Sequence, residues 1–157
     1  MKTAKILIAF ALGITVLGIA LPAGSVSYVP MPIQEQQVGI VTYITGGVGD
    51  AEAAVIRNMA NDYLLEVSFM HKQPGQREEM LADIGVQILD EQNNKLLDIR
   101  SDGPYLLANM PEGNYLIIAD HEGDVKQQKI SIDINKHKKV VFWWPTLEQP
   151  QVEEISK

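Results

Sequence analysis

The chain contains no cysteine. A disulfide framework, a thiol nucleophile and cysteine metal ligands are all excluded, so stability has to come from a buried apolar core. Cationic residues are scarce: 13 Lys and Arg stand against 20 Asp and Glu, for a formal net charge of −7. The sequence pI is about 4.9. Non-specific nucleic-acid binding needs a basic face, so this balance argues against it, and solubility is the simplest reading of the acidic excess. Histidine occurs three times, at His71, His121 and His137. None stands at metal-ligand spacing from another, and a zinc site without cysteine needs three convergent His or carboxylates, so the three read as surface histidines. There is no internal repeat, no nucleophile elbow around Ser101-Asp102 and no EF-hand spacing among Asp98, Asp102, Asp120, Glu122 and Asp124. The first pair reads as turn residues and the second group as solvated loops.

What is present begins with an address. Lys2 and Lys5 form a short positive region, and Ile6 to Leu21 is uncharged and nearly all apolar. Pro22, Gly24, Ser25 and Ser27 then break the run with small residues, the order of an export signal. Cleavage after Ala23, Ser25 or Ser27 fits, with Ser25-Val26-Ser27 placing small residues at both critical positions. The apolar run is shorter than the roughly 20 residues of a bilayer-spanning helix. The sequence therefore predicts a signal peptide over 1–27 and a periplasmic or secreted protein, with an uncleaved membrane anchor as the alternative. No cysteine follows the run, so a lipoprotein anchor is excluded.

Tyr28 to Gln37 is rich in Pro and Gln and reads as a flexible spacer, 28–38. Gly39 to Thr45 is β-branched and aromatic and predicts a strand. The bend Gly46-Gly47-Val48-Gly49 precedes Asp50, which reads as an N-cap, and a helix over 51–62. Ile56, Met59, Ala60 and Tyr63 make its apolar stripe. The glycine-rich bend lacks a following Gly-Lys-Ser/Thr, and Asp50 would repel an anion, so it is read as a turn and not a phosphate cradle. From Leu64 the period changes to two. Leu65, Val67 and Phe69 predict a strand with one dry face, and Ile84, Val86 and Ile88 a second. Short strands at 96–99, 105–108, 115–119, 130–134 and 140–144 follow, separated by turn chemistry. This cadence predicts a mainly β sandwich over 64–145, preceded by a strand-helix segment, 39–63, and followed by a disordered tail, 146–157.

Three stretches carry a resemblance. Ile84-Gly85-Val86-Gln87-Ile88-Leu89-Asp90, Ser101-Asp102-Gly103-Pro104-Tyr105-Leu106-Leu107 and Met110-Pro111-Glu112-Gly113-Asn114-Tyr115 together resemble carboxypeptidase regulatory-like domains. The resemblance implies a transthyretin-like, immunoglobulin-like antiparallel sandwich of seven strands across about 64–144. The segment from Tyr43 to Tyr63 lies outside that pattern, and its combination with the sandwich resembles a group of small exported proteobacterial proteins. In this pattern Asp102-Gly103 is expected to turn with positive φ at the glycine. Tyr105 and Tyr115 are expected to place rings in the core with hydroxyls at the rim.

No constellation organises the scattered Asp, His and Ser into a catalytic site, and no cofactor or metal is indicated. The candidate partner-binding residues are Trp143, Trp144, Lys136, Lys138 and Lys139. The adjacent tryptophans must point to opposite faces of a strand, one into the core and the other exposed or under the helix. Lys136-His137-Lys138-Lys139 is a basic cluster that could meet anionic lipid or glycan, or simply turn the chain. The sequence therefore reads as a non-catalytic exported accessory domain acting through an envelope protein partner. The alternative is a small-molecule carrier with a pocket between helix and sheet, and a hydrolase or enzyme subunit fits less well.

Overall fold

The computed structural model describes residues 33–72 and 78–145. The expected signal over 1–27 and the tail over 146–157 lie outside them. In chain order the elements are β1 (Gln36–Val38), β2 (Val41–Gly46), α1 (Asp50–Met59), a 3₁₀ turn (Ala60–Asp62), β3 (Leu65–Lys72), β4 (Glu79–Met80), β5 (Ile84–Leu89), β6 (Lys95–Ser101), β7 (Tyr105–Asn109), β8 (Gly113–His121), β9 (Asp124–Ile132) and β10 (Lys138–Pro145). One sheet has the order β1-β2-β7-β3-β10, with β4 pairing β3 beyond the end of β7, and the other has the order β6-β5-β8-β9. Across the described residues the protein is a mainly β sandwich with one α-helix, as its cadence of strands and turns predicts.

Alternation builds the core. Val41 and Tyr43, Leu65, Val67 and Phe69, Leu106 and Ala108, and Val140, Phe142 and Trp144 point inward from the first sheet. They meet Ile84, Val86 and Ile88, Leu97, Tyr115 and Ile117, and Ile130 and Ile132 from the second. Fully burying each large aliphatic side chain contributes about 1.5–3 kcal/mol, so this cluster can hold the fold without covalent staples. Tyr115 closes a corner: its ring is in the core and its hydroxyl donates to the Pro111 carbonyl at 2.8 Å, the local bond that immunoglobulin-like sandwiches use at a strand corner.

The strand expected at 130–134 is Asp124–Ile132, with Ile134 exposed beyond its end, and four further features differ from the sequence reading. Residues 36–38, expected in the spacer, pair with β2, and β2 pairs with β7 inside the first sheet. The strand-helix segment is therefore part of the sandwich, because Val41 and Tyr43 supply inward apolar side chains that the core takes up. Asp50 is the first helical residue and not the cap; Gly49, at φ 83, takes that position and makes no side-chain bond. A left-handed entry suits glycine, and Asp50 and Glu52 then sit where the helix dipole favours negative charge. Gly103 lies outside the set of glycines with positive φ. It is needed for close approach, since a Cβ there would collide with the backbone of Gly46. The last difference concerns direction: β10 runs parallel to β3 in an otherwise antiparallel sheet. The chain between them passes twice through the second sheet, with β7 of the first sheet in between, ample length for a parallel crossover.

Outward-facing Ile44, Tyr105 and Leu107 form a second apolar cluster with Ala53, Ile56, Ala60 and Tyr63. It places α1 on the outside of the first sheet, over β2 and β7. Ile33 packs against the same cluster, and the Tyr63 hydroxyl donates to Glu35 at 3.2 Å. The residues just before β1 thus strap the helix. Burial, then the neighbouring Glu35 carboxylate, push the Tyr63 phenol up to about 12.

Candidate functional site

β10 ends the first sheet, and its alternation separates the two tryptophans. Trp144 points inward and is 2% exposed. Its ring lies 6.1 Å from Phe142, 6.4 Å from Phe69 and 5.7 Å from His121. Its indole N–H donates to the Asp124 carbonyl at 2.9 Å, tying β10 to β9 across the sandwich. Trp144 is a core residue. Trp143 points outward and is 36% exposed, with the Lys72 ammonium 5.7 Å from its ring centroid. It stands opposite Met70 of β3 and on the part of the sheet that α1 leaves uncovered.

The basic cluster is distributed among separate partners. Lys136 sits on the β9–β10 turn and pairs with Asp133 at 3.1 Å. Lys139 pairs with Glu66 at 2.7 Å. The Nδ1 of His137 is 2.9 Å from the Tyr63 carbonyl and its Nε2 is 3.2 Å from the second oxygen of Glu66. Both ring nitrogens thus lie within hydrogen-bonding distance of oxygen atoms. Lys138 has no ion-pair partner among the described residues. It lies at the rim of an open polar depression of about 590 Å³ with Asp90, Glu91, Asn114 and Lys129.

Sequence reasoning missed two members of this surface. Glu66 was expected on the wet face of β3, yet it is 6% exposed. Buried carboxylates are rare unless paired, and Glu66 is held by Lys139 and His137. Its neighbour Ser68 is 1% exposed, and its hydroxyl finds no hydrogen-bond partner among the described residues. β3 therefore has two dry faces over its first five residues. Lys72 was not singled out either, because its nearness to Trp143 follows from the parallel register that pairs Lys72 with Pro145. No signal within either strand alone gives that register.

The other expected features are structural fixtures. The Ser101 hydroxyl is buried and donates to the Gly103 carbonyl at 2.7 Å. Asp102 accepts from Thr45. Asp98 pairs with Lys95, and that hydrogen bond holds its carboxyl below the usual range. The amide of Asn135, then Lys136, do the same for Asp133, and the Arg100 guanidinium does so for Asp83. No group of three or more metal-ligating side chains occurs among the described residues. The space between α1 and the sheet, where a carrier pocket was expected, is filled by Ile44, Ile56 and Leu107, none more than 1% exposed. No helix among the described residues is long and apolar enough to cross a membrane. A scan of protein-family models and a search of curated proteins both find no match to this chain.

Proposed function

We propose that the chain is a non-catalytic, exported accessory domain that binds an envelope protein partner through the outer face around Trp143. The observation that carries this reading is an indole 36% exposed, beside a lysine, on the end strand of a sheet whose other half is covered by a helix. Partly buried tryptophans with a cation nearby are the residue type that anchors protein interfaces. The resemblance of three stretches to carboxypeptidase regulatory-like domains supports an accessory role, and the apolar run at 6–21 supports export.

The test is in-cell crosslinking of the tagged full chain, followed by mass spectrometry of envelope fractions. A dominant partner that disappears with Trp143→Ala, while circular dichroism of the variant stays unchanged, is the result expected. Retention of that partner by the variant, or no partner at all, contradicts the reading. Trp144→Ala is not an informative control, because it opens the core.

A further inference from the structure

Beyond the partner reading, and at a separate place on the molecule, we propose that the depression beside the β5–β6 turn is a binding site for a neutral oligosaccharide. Its shape follows from unequal strand lengths. The last pair between β5 and β8 joins Leu89 to Leu116, whereas β8 and β9 stay paired as far as Gly113 and Ile132. Two strands therefore run on past the end of β5. The register of β5 with β6 shifts between Ile88 and Leu89, an irregularity of the kind that re-aims side chains at a sheet margin. The turn that follows it, over 90–94, stands beside the overhanging strands. The space between them is about 590 Å³, within the roughly 300–1,000 Å³ of ligand clefts. Half-buried Leu116 contributes an aliphatic patch to the lining, and Asn114, Lys129 and Ser131 join it from the two long strands.

The chemistry of the lining then selects the ligand. It holds two carboxylates, Asp90 and Glu91, and two ammonium groups, Lys129 and Lys138. Their charges cancel, so a ligand of either net charge meets repulsion as well as attraction, and a neutral one meets no such penalty. The acceptors are fixed in place. Asp90 Oδ1 accepts from the amides of Gln92 and Asn94, and Oδ2 accepts from the Asn94 side chain. The hydrogen bond from the Asn94 side chain holds the Asp90 carboxyl below the usual range. Glu91 accepts from the Asn114 side chain at 2.7 Å. Each carboxylate keeps lone pairs for a further donor. On the other side, Lys129 and Lys138 have no ion-pair partner among the described residues, and the Ser131 hydroxyl can donate and accept. Fixed acceptors facing uncommitted donors, around an aliphatic patch, match a sugar: its hydroxyls donate and accept, and its C–H groups are apolar.

The experiment presents the full chain to an array of neutral, acidic and cationic oligosaccharides, then maps the tightest binder by amide chemical shifts. Expected is a neutral oligosaccharide that moves the amides of Asn93, Asn114, Lys129 and Ser131. It should bind more tightly than uronic-acid or glucosamine oligomers of the same length. Its affinity should fall about tenfold in Lys129→Ala and in Glu91→Ala, each of which takes away one charged hydrogen-bonding group. Both residues are exposed, so circular dichroism of the variants should match the parent. A preference for the uronic-acid oligomer would overturn the neutral assignment in favour of an anion site, and a preference for the glucosamine oligomer would overturn it in favour of a cation site. No binder on the array, or shifts confined to the surroundings of Trp143, would overturn the site itself. None of the residues read here belongs to the Trp143 face. Each of these failures therefore leaves the partner reading standing, and loss of the partner reading leaves this site standing.

Discussion

The outer face of the first sheet is finished in two different ways. Over β2 and β7 the outward residues are Ile44, Tyr105 and Leu107, and α1 covers them with Ala53, Ile56 and Ala60. Over β3 and β10 the outward residues are Glu66, Ser68, Met70, Lys139, Val141 and Trp143, and α1, the one α-helix among the described residues, does not pack there. The covered half is sealed by apolar contact. In the uncovered half, Lys139 and His137 shield a carboxylate, and Trp143 is left partly open. The first half is closed by apolar burial, and the second leaves Trp143 36% exposed.

Paired substitutions can break that comparison. Leu107→Ala, beneath the helix, should cost about 3–4 kcal/mol, since a buried leucine is lost and the helix can only partly follow. Val141→Ala at the half-buried outer position of β10 should cost less than about 1 kcal/mol. Urea unfolding of the two variants measures the contrast directly, and equal losses would erase the distinction between the halves. Gly103→Ala comes next, at about 2–3 kcal/mol, because its Cβ meets the backbone of Gly46, where the chain leaves β2 for the helix. Glu66→Gln removes the charge that Lys139 and His137 share and should cost about 1 kcal/mol; chemical denaturation in low and high salt would separate its charge contribution from its packing. Trp143→Ala should stay within about 0.5 kcal/mol of the parent while removing the partner.

An alkaline titration sharpens the covered half further. The folded chain holds the Tyr63 proton up to about 12, above the ordinary 10.0. A group with a raised folded pKa contributes stability that is fully present below the unfolded value and is lost as pH rises through the folded one. Stability should therefore fall between about pH 10 and 12, and Tyr63→Phe should flatten that part of the profile. Glu35→Gln should lower the phenol's titration midpoint, because the neighbouring carboxylate helps to raise it. Ultraviolet difference titration reads both, and an unshifted midpoint in Glu35→Gln would remove the strap formed before β1.

Much of the architecture is legible in the residues. Period-two runs such as Ile84, Val86, Ile88 locate strands, and the stripe at Ile56, Ala60 and Tyr63 locates the helix face, because both follow from side-chain direction along the chain. The opposite faces of Trp143 and Trp144 follow from the same rule. Less legible is everything that depends on which strand lies beside which. Glu66 looks like a solvated carboxylate until parallel pairing sets Lys139 next to it. The short run Gln36–Val38 has too few residues to show a period, and its pairing with β2 comes from the tight turn between them. Gly103 reads as a turn glycine from its neighbours, whereas its role is set by Gly46, distant in sequence. The site shares this limit: Trp143 stands out from composition alone, but the open edge beside it exists only once β10 has been placed at the end of the sheet.

The most direct measurement is residue-resolved amide exchange of the full chain along β10. The account predicts an alternation: slow exchange at Val140, Phe142 and Trp144, which bond to β3, and fast exchange at Lys139, Val141 and Trp143, which face the free side. Uniform protection along the strand would mean that the edge is already paired, and would contradict the claim that this half of the sheet is open for a partner.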